Sequence, residues 1–399
     1  MIRIKRIMKI FLAERNLKFG EFVNPKVNFG DLTSSELETL SALIKKHHLS
    51  FSKDKYDVGL VRNFRYKMET KPNHKVWAEN QRRLAPTVLE RVQAQFELEV
   101  KHGLLVKKAS KYSHPIVVVK KPSGDLRVCA DLRKANFEIE TDKWPIPDIH
   151  QMFLNLGPHM NRGKKVYMAS MDILMAYRSL RVHEEDIEKL GFCFGSDQYC
   201  HTRMAFGAKD APSTFSLLMR VILNGLDYVV NYLDDLIIIC PDFQIFCNTL
   251  EKLFERLLDY GVILKDTKCH FGLSEMKFLG HTITQTGICI QDSKEDAIRK
   301  LNIPQNKDQL RSVLGSFNYH FWQVPNLMVI LQPLFGLLKT QNIKFAWTTD
   351  HTRAFNQAKE AIASATECRF RNQNFQLVLS VDSSDIGVGA GLGQLNEDN

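Results

Sequence analysis

Apolar residues recur along this chain with two periods, and the elements follow from which period holds where. Over residues 84–103 the apolar positions keep to one face of a helix, with Pro86 near its start and Gly103 as its stop. Residues 116–119 are a short β-branched run, followed by a turn at 122–125 and a return strand at 126–130. A further strand is predicted over 166–173. Two buried strands flank a single polar point, at Val229-Val230 and at 236–239. Residues 250–260 form an amphipathic helix closed by Gly261. Residues 294–340 read as largely helical, 351–365 as one more helix, and 376–382 as a strand. The alternation of strands and helices predicts an α+β or α/β body. There is no internal repeat and no low-complexity tract.

The polar point between those strands is Asp234-Asp235, preceded by Tyr232-Leu233. Hairpin tips open to water usually carry Asn-Gly or Asp-Gly. Two acids walled by apolar strands repel each other unless cations neutralise them. Divalent metal binding explains the pair; a solvated Asp-Asp turn is the bland alternative. Asp172 ends the strand over 166–172, and placed beside the hairpin it adds a third carboxylate. Three such acids can hold two divalent cations ~3.5–4 Å apart, the arrangement of in-line phosphoryl transfer. On its own, Asp172 reads equally well as a helix N-cap. Mg²⁺ suits oxygen-only ligands completed by phosphate and water.

Around these acids stand residues that suit a nucleotide. Lys120, Lys121 and Arg127 surround the tip of the hairpin over 116–130, where they could hold a triphosphate or form a solvated basic turn. Tyr177, five residues after Asp172, could set its ring against a sugar. Phe206 and Gly207 open a turn before a helix, where a glycine lets the backbone come close to a ligand.

Composition shifts the picture only slightly. The 399 residues allow two or three domains, and a formal net charge of +9 points towards a polyanionic partner. Eight scattered cysteines with no Cys-x-x-Cys pair favour reduced thiols of an intracellular protein over a zinc site. Cys200-His201 is a weak metal signal by spacing. No stretch approaches the ~20 apolar residues of a membrane span, and Lys9 interrupts the basic amino terminus where a secretory signal would need an apolar core.

Taken together the motifs resemble the reverse transcriptase region of gypsy-class long-terminal-repeat retrotransposon Pol polyproteins. The resemblance runs from roughly Phe51 to Gln394. It includes Val117-Val-Val-Lys-Lys-Pro-Ser-Gly-Asp-Leu-Arg-Val-Cys-Ala-Asp-Leu-Arg-Lys-Ala-Asn136, Trp144-Pro-Ile-Pro147, Met171-Asp-Ile-Leu-Met-Ala-Tyr177 and Phe206-Gly-Ala-Lys-Asp-Ala-Pro212. Tyr232-Leu-Asp-Asp235, Lys268-Cys-His-Phe271, Phe278-Leu-Gly-His281 and Leu310-Arg-Ser-Val-Leu-Gly-Ser-Phe-Asn-Tyr319 follow in the family's order.

The resemblance implies an α+β right-hand polymerase with fingers, palm and thumb, then a helical connection and a truncated ribonuclease H-like α/β segment. It divides the chain into 1–50 of unknown role, fingers and palm over 51–290, thumb and connection helices over 291–370, and the ribonuclease H-like start over 371–399. It implies an RNA-directed DNA polymerase that adds deoxynucleoside triphosphates to a primer on an RNA or DNA template. Asp172, Asp234 and Asp235 would hold two Mg²⁺ ions, with Mn²⁺ a substitute. Lys120, Lys121, Arg127, Phe206 and Gly207 would bind the nucleotide, and Tyr177 would exclude a 2′-hydroxyl. Lys268 would donate a proton to pyrophosphate, and Phe278, Leu279 and Gly280 would grip the primer.

Asp382 would be the first of four ribonuclease H carboxylates. The chain reaches Asn399 before the other three, so no ribonuclease H activity is expected and the chain reads as part of a polyprotein. A cytoplasmic particle or the nucleus is the implied location; the oligomeric state stays open. The palm departs from the family pattern at Ala176, Ser179, Lys189-Leu-Gly-Phe192, Ala208 and Asp210, where Asp210 would put a negative charge near the nucleotide path. These changes keep a second reading open: a decayed or repurposed copy that binds nucleic acid without catalysis.

Overall fold

In the computed structural model, residues 24–122, 124–141, 144–160, 165–339, 345–370, 376–384 and 387–395 are described. The basic amino-terminal stretch, Ser123 of the hairpin turn, and Asp385-Ile386 lie outside them. The chain divides into two units, residues 1–152 with 167–273 and residues 153–166 with 274–399.

The first unit is organised by strands that can be buried because they are apolar on both faces. It begins with β1 (Asn28–Phe29), α1 (Ser34–Lys46) and α2 (Pro86–Lys101). The hairpin β2 (Ile116–Lys120) and β3 (Leu126–Ala130) follows, then β4 (Tyr167–Asp172). Next come α3 (Ala211–Leu223), β5 (Val229–Tyr232), β6 (Asp235–Cys240), α4 (Phe243–Tyr260) and β7 (His270–Leu273). Five of the strands form one sheet in the order β1-β7-β4-β6-β5. From Leu236 to Cys240 every residue of β6 is buried, as a strand covered on both faces requires. Helix α4 packs on β4 and β6 through Phe246, Leu250, Leu253, Phe254 and Leu257.

The helix predicted from residue 250 begins seven residues earlier. The Asp242 carboxylate accepts a hydrogen bond from Ile245 N–H at 2.8 Å, capping the first turn. It stops where expected, at Gly261, with φ +78°. α2 likewise runs from Pro86 and gives way to Gly103 at φ +66°. A smaller sheet of residues 105–107, 191–194 and 197–201 packs around Phe96 of α2.

In the second unit a sheet is built from β8 (Met276–Phe278), β9 (His281–Ile283), β10 (Gly287–Ile290) and β11 (Cys368–Arg369). The stretch read as largely helical is three helices, α5 (Asp292–Arg299), α6 (Lys307–Asn318) and α7 (Leu327–Lys339). Asn306 caps α6 through its side chain, and Asn326 at φ +56° precedes α7. α8 (Thr349–Ala363) shares their core, which includes Leu310, Phe317, Leu331 and Phe355. β12 (Leu377–Ser384) and β13 (Gly387–Gln394) form a separate hairpin. Among the described residues, no helix is long and apolar enough to cross a membrane.

Candidate functional site: a carboxylate cluster on the central sheet

β6 pairs antiparallel with β4 in a register that sets Asp235 directly opposite Asp172. The same strand pairs with β5, where Tyr232 faces Asp235 across a two-residue turn of Leu233 and Asp234. The central sheet thus brings all three acids to one end. Leu233 holds φ +55°, a conformation in which glycine or asparagine is usual. Backbone bonds fix the neighbourhood: Ile173 N–H donates to the Asp234 carbonyl at 3.0 Å and Lys265 N–H to the Asp172 carbonyl at 2.8 Å.

The electrostatics match that crowding. Loss of water around Asp235 raises its pKa to about 6, and the charges of Asp234 and Asp172 push the same way. Asp234 stands at the exposed turn, yet surrounding protein atoms and the Asp172 charge raise it too. The Lys268 ammonium lies 2.6 Å from Asp172 Oδ2 and supplies the positive charge nearby. Asp172 ends its strand and accepts this ion pair; it caps no helix in the structure. The three carboxylates are not close enough together to form a ready set of metal ligands. Among the described residues that description fits His47, Glu251 and Glu255.

Tyr177 joins the cluster. Its ring meets Phe206 and Phe215 edge-on, each with centroids 5.7 Å apart. Burial, then the Asp234 charge, pushes its hydroxyl up to about 12. Gly207 holds φ +97°, which essentially only glycine adopts, and a Cβ there would meet the Ala130 carbonyl oxygen at 3.9 Å, an ordinary contact. Lys120, Lys121 and Arg127 lie on the hairpin β2–β3, with Val119 opposite Arg127 and Lys121 N–H bonded to the Asp125 carbonyl at 2.8 Å.

Several supporting residues carried no strong local signal. Asn136 clamps the Gly207 turn, donating to the Gly207 carbonyl at 2.9 Å and accepting from Lys209 N–H at 3.0 Å. Lys55 and Arg91 join Lys121 around a cavity of about 280 Å³ that also reaches Met175. Buried Arg178 donates to Glu99 of α2 at 2.6 Å, tying that helix to the turn after Asp172. Burial alone would raise Glu99; Arg178 and Gln95 more than offset it and hold the carboxyl below its ordinary range.

Asp210 is buried, and its Oδ1 accepts a hydrogen bond from Tyr66 Oη at 2.8 Å. Ala176 and Ser179 are equally well housed, with Ser179 Oγ donating to the Ala176 carbonyl at 2.6 Å. Cys200 is a buried thiol pushed up to about 11 by burial, and its S–H faces the Lys108 carbonyl at 3.7 Å.

Two sequence-derived positions lie in the second unit. Phe278 and His281 close a hairpin over Leu279 (φ +47°) and Gly280 (φ +75°), the pair of positive φ values a type I′ turn needs. The Tyr319 hydroxyl donates to the Leu279 carbonyl at 2.7 Å and holds the turn. Asp382 is exposed on β12, opposite Gly389.

Residues 119–283 match the family model described as reverse transcriptase (RNA-dependent DNA polymerase). The chain is 28% identical over 95% of its length to the Pol polyprotein of transposon 297 and 26% over 92% to that of transposon 412, both of Drosophila melanogaster. It is 26% identical over 79% to the Tf2-3 polyprotein of Schizosaccharomyces pombe. It spans 35%, 30% and 23% of those proteins, so about a third of the Drosophila relatives or less. In fold it is similar to the foamy viral protease-reverse transcriptase solved with double-stranded DNA. The TM-score there is 0.81 at 22% identity, over 98% of this chain and 78% of the other. The same viral protein solved with an RNA/DNA hybrid gives 0.75 at 21% identity, over 99% and 52%.

Proposed function

We propose, from the premise that residues 119–283 belong to the reverse transcriptase family, that this chain is an RNA-directed DNA polymerase. It extends a primer 3′-hydroxyl with deoxynucleoside triphosphates on an RNA or DNA template. The observation that carries the reading is the β4–β6 register, which sets Asp172 against Asp235 with Asp234 on the adjoining turn. Residues 51–290 serve as fingers and palm, 291–370 as thumb and connection, and 371–399 as a ribonuclease H-like start.

By donor chemistry these residues suit a pair of Mg²⁺ ions, on which their carboxylates would have to close up. Their donors are carboxylate oxygens only, and their mutual repulsion is relieved by one ammonium, that of Lys268. Asp172 and Asp234 would hold both ions with Asp235 in support. When bound, the ions would supply an activated 3′-hydroxyl and charge neutralisation at the pyrophosphate. The chain's own groups do the rest. Lys120, Lys121 and Arg127 hold the triphosphate by charge. The Tyr177 ring, fixed between Phe206 and Phe215, blocks a 2′-hydroxyl. Asn136 keeps the Gly207 backbone open for close approach to the nucleotide. Lys268 releases Asp172 and passes its Nζ proton to the departing pyrophosphate. Phe278, Leu279 and Gly280 position the primer.

A second reading, a decayed or repurposed copy, draws on the early end of the ribonuclease H-like segment and on the palm substitutions, of which Asp210 is buried and accepts a hydrogen bond from Tyr66. Incorporation of labelled dTTP on a poly(rA)–oligo(dT) template tests the proposal. Wild type incorporates with Mg²⁺, and Asp172→Asn does not. No incorporation by wild type, with template binding intact, supports the non-catalytic reading.

A further inference from the structure

Away from the carboxylate cluster, a histidine is buried with one ring nitrogen unsatisfied. His47 follows α1 at its carboxyl end and is only 9% exposed, with its ring against Phe254 of α4 at 5.6 Å. Its Nε2 is shut off from solvent and makes no hydrogen bond. Glu251 Oε1 lies 3.8 Å away, too long for one. A buried polar nitrogen left in this state is costly unless something else completes it.

Beside that ring stands a pair of acids. Glu251 and Glu255 lie one turn apart on α4, so their like charges share one face of the helix. A ligand atom from each of His47, Glu251 and Glu255 falls within 4.8 Å of the others. One imidazole nitrogen and two carboxylate oxygens are a donor set of borderline softness, the type that binds Zn²⁺. Tetrahedral zinc with bonds of 2.0–2.2 Å needs ligand atoms ~3.4 Å apart. Glu255 is exposed and Glu251 partly so, and both have the side-chain freedom to close that gap.

We propose that His47 Nε2, Glu251 and Glu255 form a Zn²⁺ site pinning the end of α1 to α4, with water in the fourth position. The Lys46 ammonium, ion-paired to Glu251, competes for the same carboxylate and sets the affinity. This site shares no ligand with the carboxylate cluster of the central sheet and stands independently of the proposed polymerase activity.

The test titrates the full chain with Zn²⁺ against a chromophoric chelator and records the visible spectrum after Co²⁺ substitution. Wild type and Asp234→Asn should each bind one Zn²⁺, gain in melting temperature, and show a tetrahedral d–d band with Co²⁺. His47→Gln and Glu255→Gln should each weaken binding by about tenfold or more and lose the band. Lys46→Gln should tighten binding several-fold by removing the competing cation. Glu255 is exposed, so its variant decides the matter should His47→Gln misfold. Unchanged Zn²⁺ affinity in Glu255→Gln, or a Co²⁺ band that survives in it, would overturn the proposal.

Discussion

Asp235 shows most directly what the site lacks when no cation is bound. Its folded pKa of about 6 lies above the ordinary 3.8, so the folded chain keeps a proton that the unfolded chain has released. Its contribution is therefore most favourable below pH ~4 and declines as the pH rises through about 6. Asp235→Asn should raise the metal-free melting temperature at pH 7 and flatten its fall between pH 4 and 7. Scanning fluorimetry across that range checks this; an identical pH profile in the variant would refute the assigned cause. Lys268 gives a second residue-scale prediction. With the ammonium gone from Asp172, Lys268→Ala should lower the half-saturating Mg²⁺ concentration for nucleotide incorporation. It should also lower kcat at saturating Mg²⁺, because the proton donor is lost. An unchanged Mg²⁺ requirement would remove Lys268 as the counter-ion that matters.

At the scale of elements, the buried Arg178–Glu99 pair and the close approach at Gly261 hold the site's support in place. Glu99→Ala leaves Arg178 buried without its partner and should cost ~3–5 kcal/mol in urea unfolding. Gly261 combines φ +78° with a would-be Cβ only 2.0 Å from the Leu60 carbonyl oxygen. Gly261→Ala should therefore destabilise by about 2 kcal/mol or more, measured the same way. A loss below ~0.5 kcal/mol in either variant would contradict the packing described.

Legibility in the sequence divides along the same line. Asp172 and the Asp234-Asp235 pair stood out because one ends an apolar strand and the other stands between two, whereas the pairing that brings them together belongs to the sheet. Gly261 and Pro86 were legible as local stop and start signals. Glu99 and Arg178, 79 positions apart, gave no local signal, since their pairing exists only after α2 packs. The partner of Asp210 was hidden for the same reason: Tyr66 lies 144 residues away. Asn136 ended a motif already singled out, yet its hold on the Gly207 turn needed the fold.

For the whole molecule, a net charge of +9 and the basic hairpin β2–β3 should make primer–template binding fall steeply with salt. The central claim is narrower: that the acids of the central sheet carry out nucleotide addition. The most direct measurement is gel-resolved extension of a DNA primer on an RNA template with Mg²⁺. Wild type and Asp234→Asn are compared at equal primer–template occupancy, established by filter binding. Stepwise extension by wild type, with Asp234→Asn reduced by at least a hundredfold and still bound, is the predicted result. Equal extension by both, or none by a wild type that binds, would contradict it.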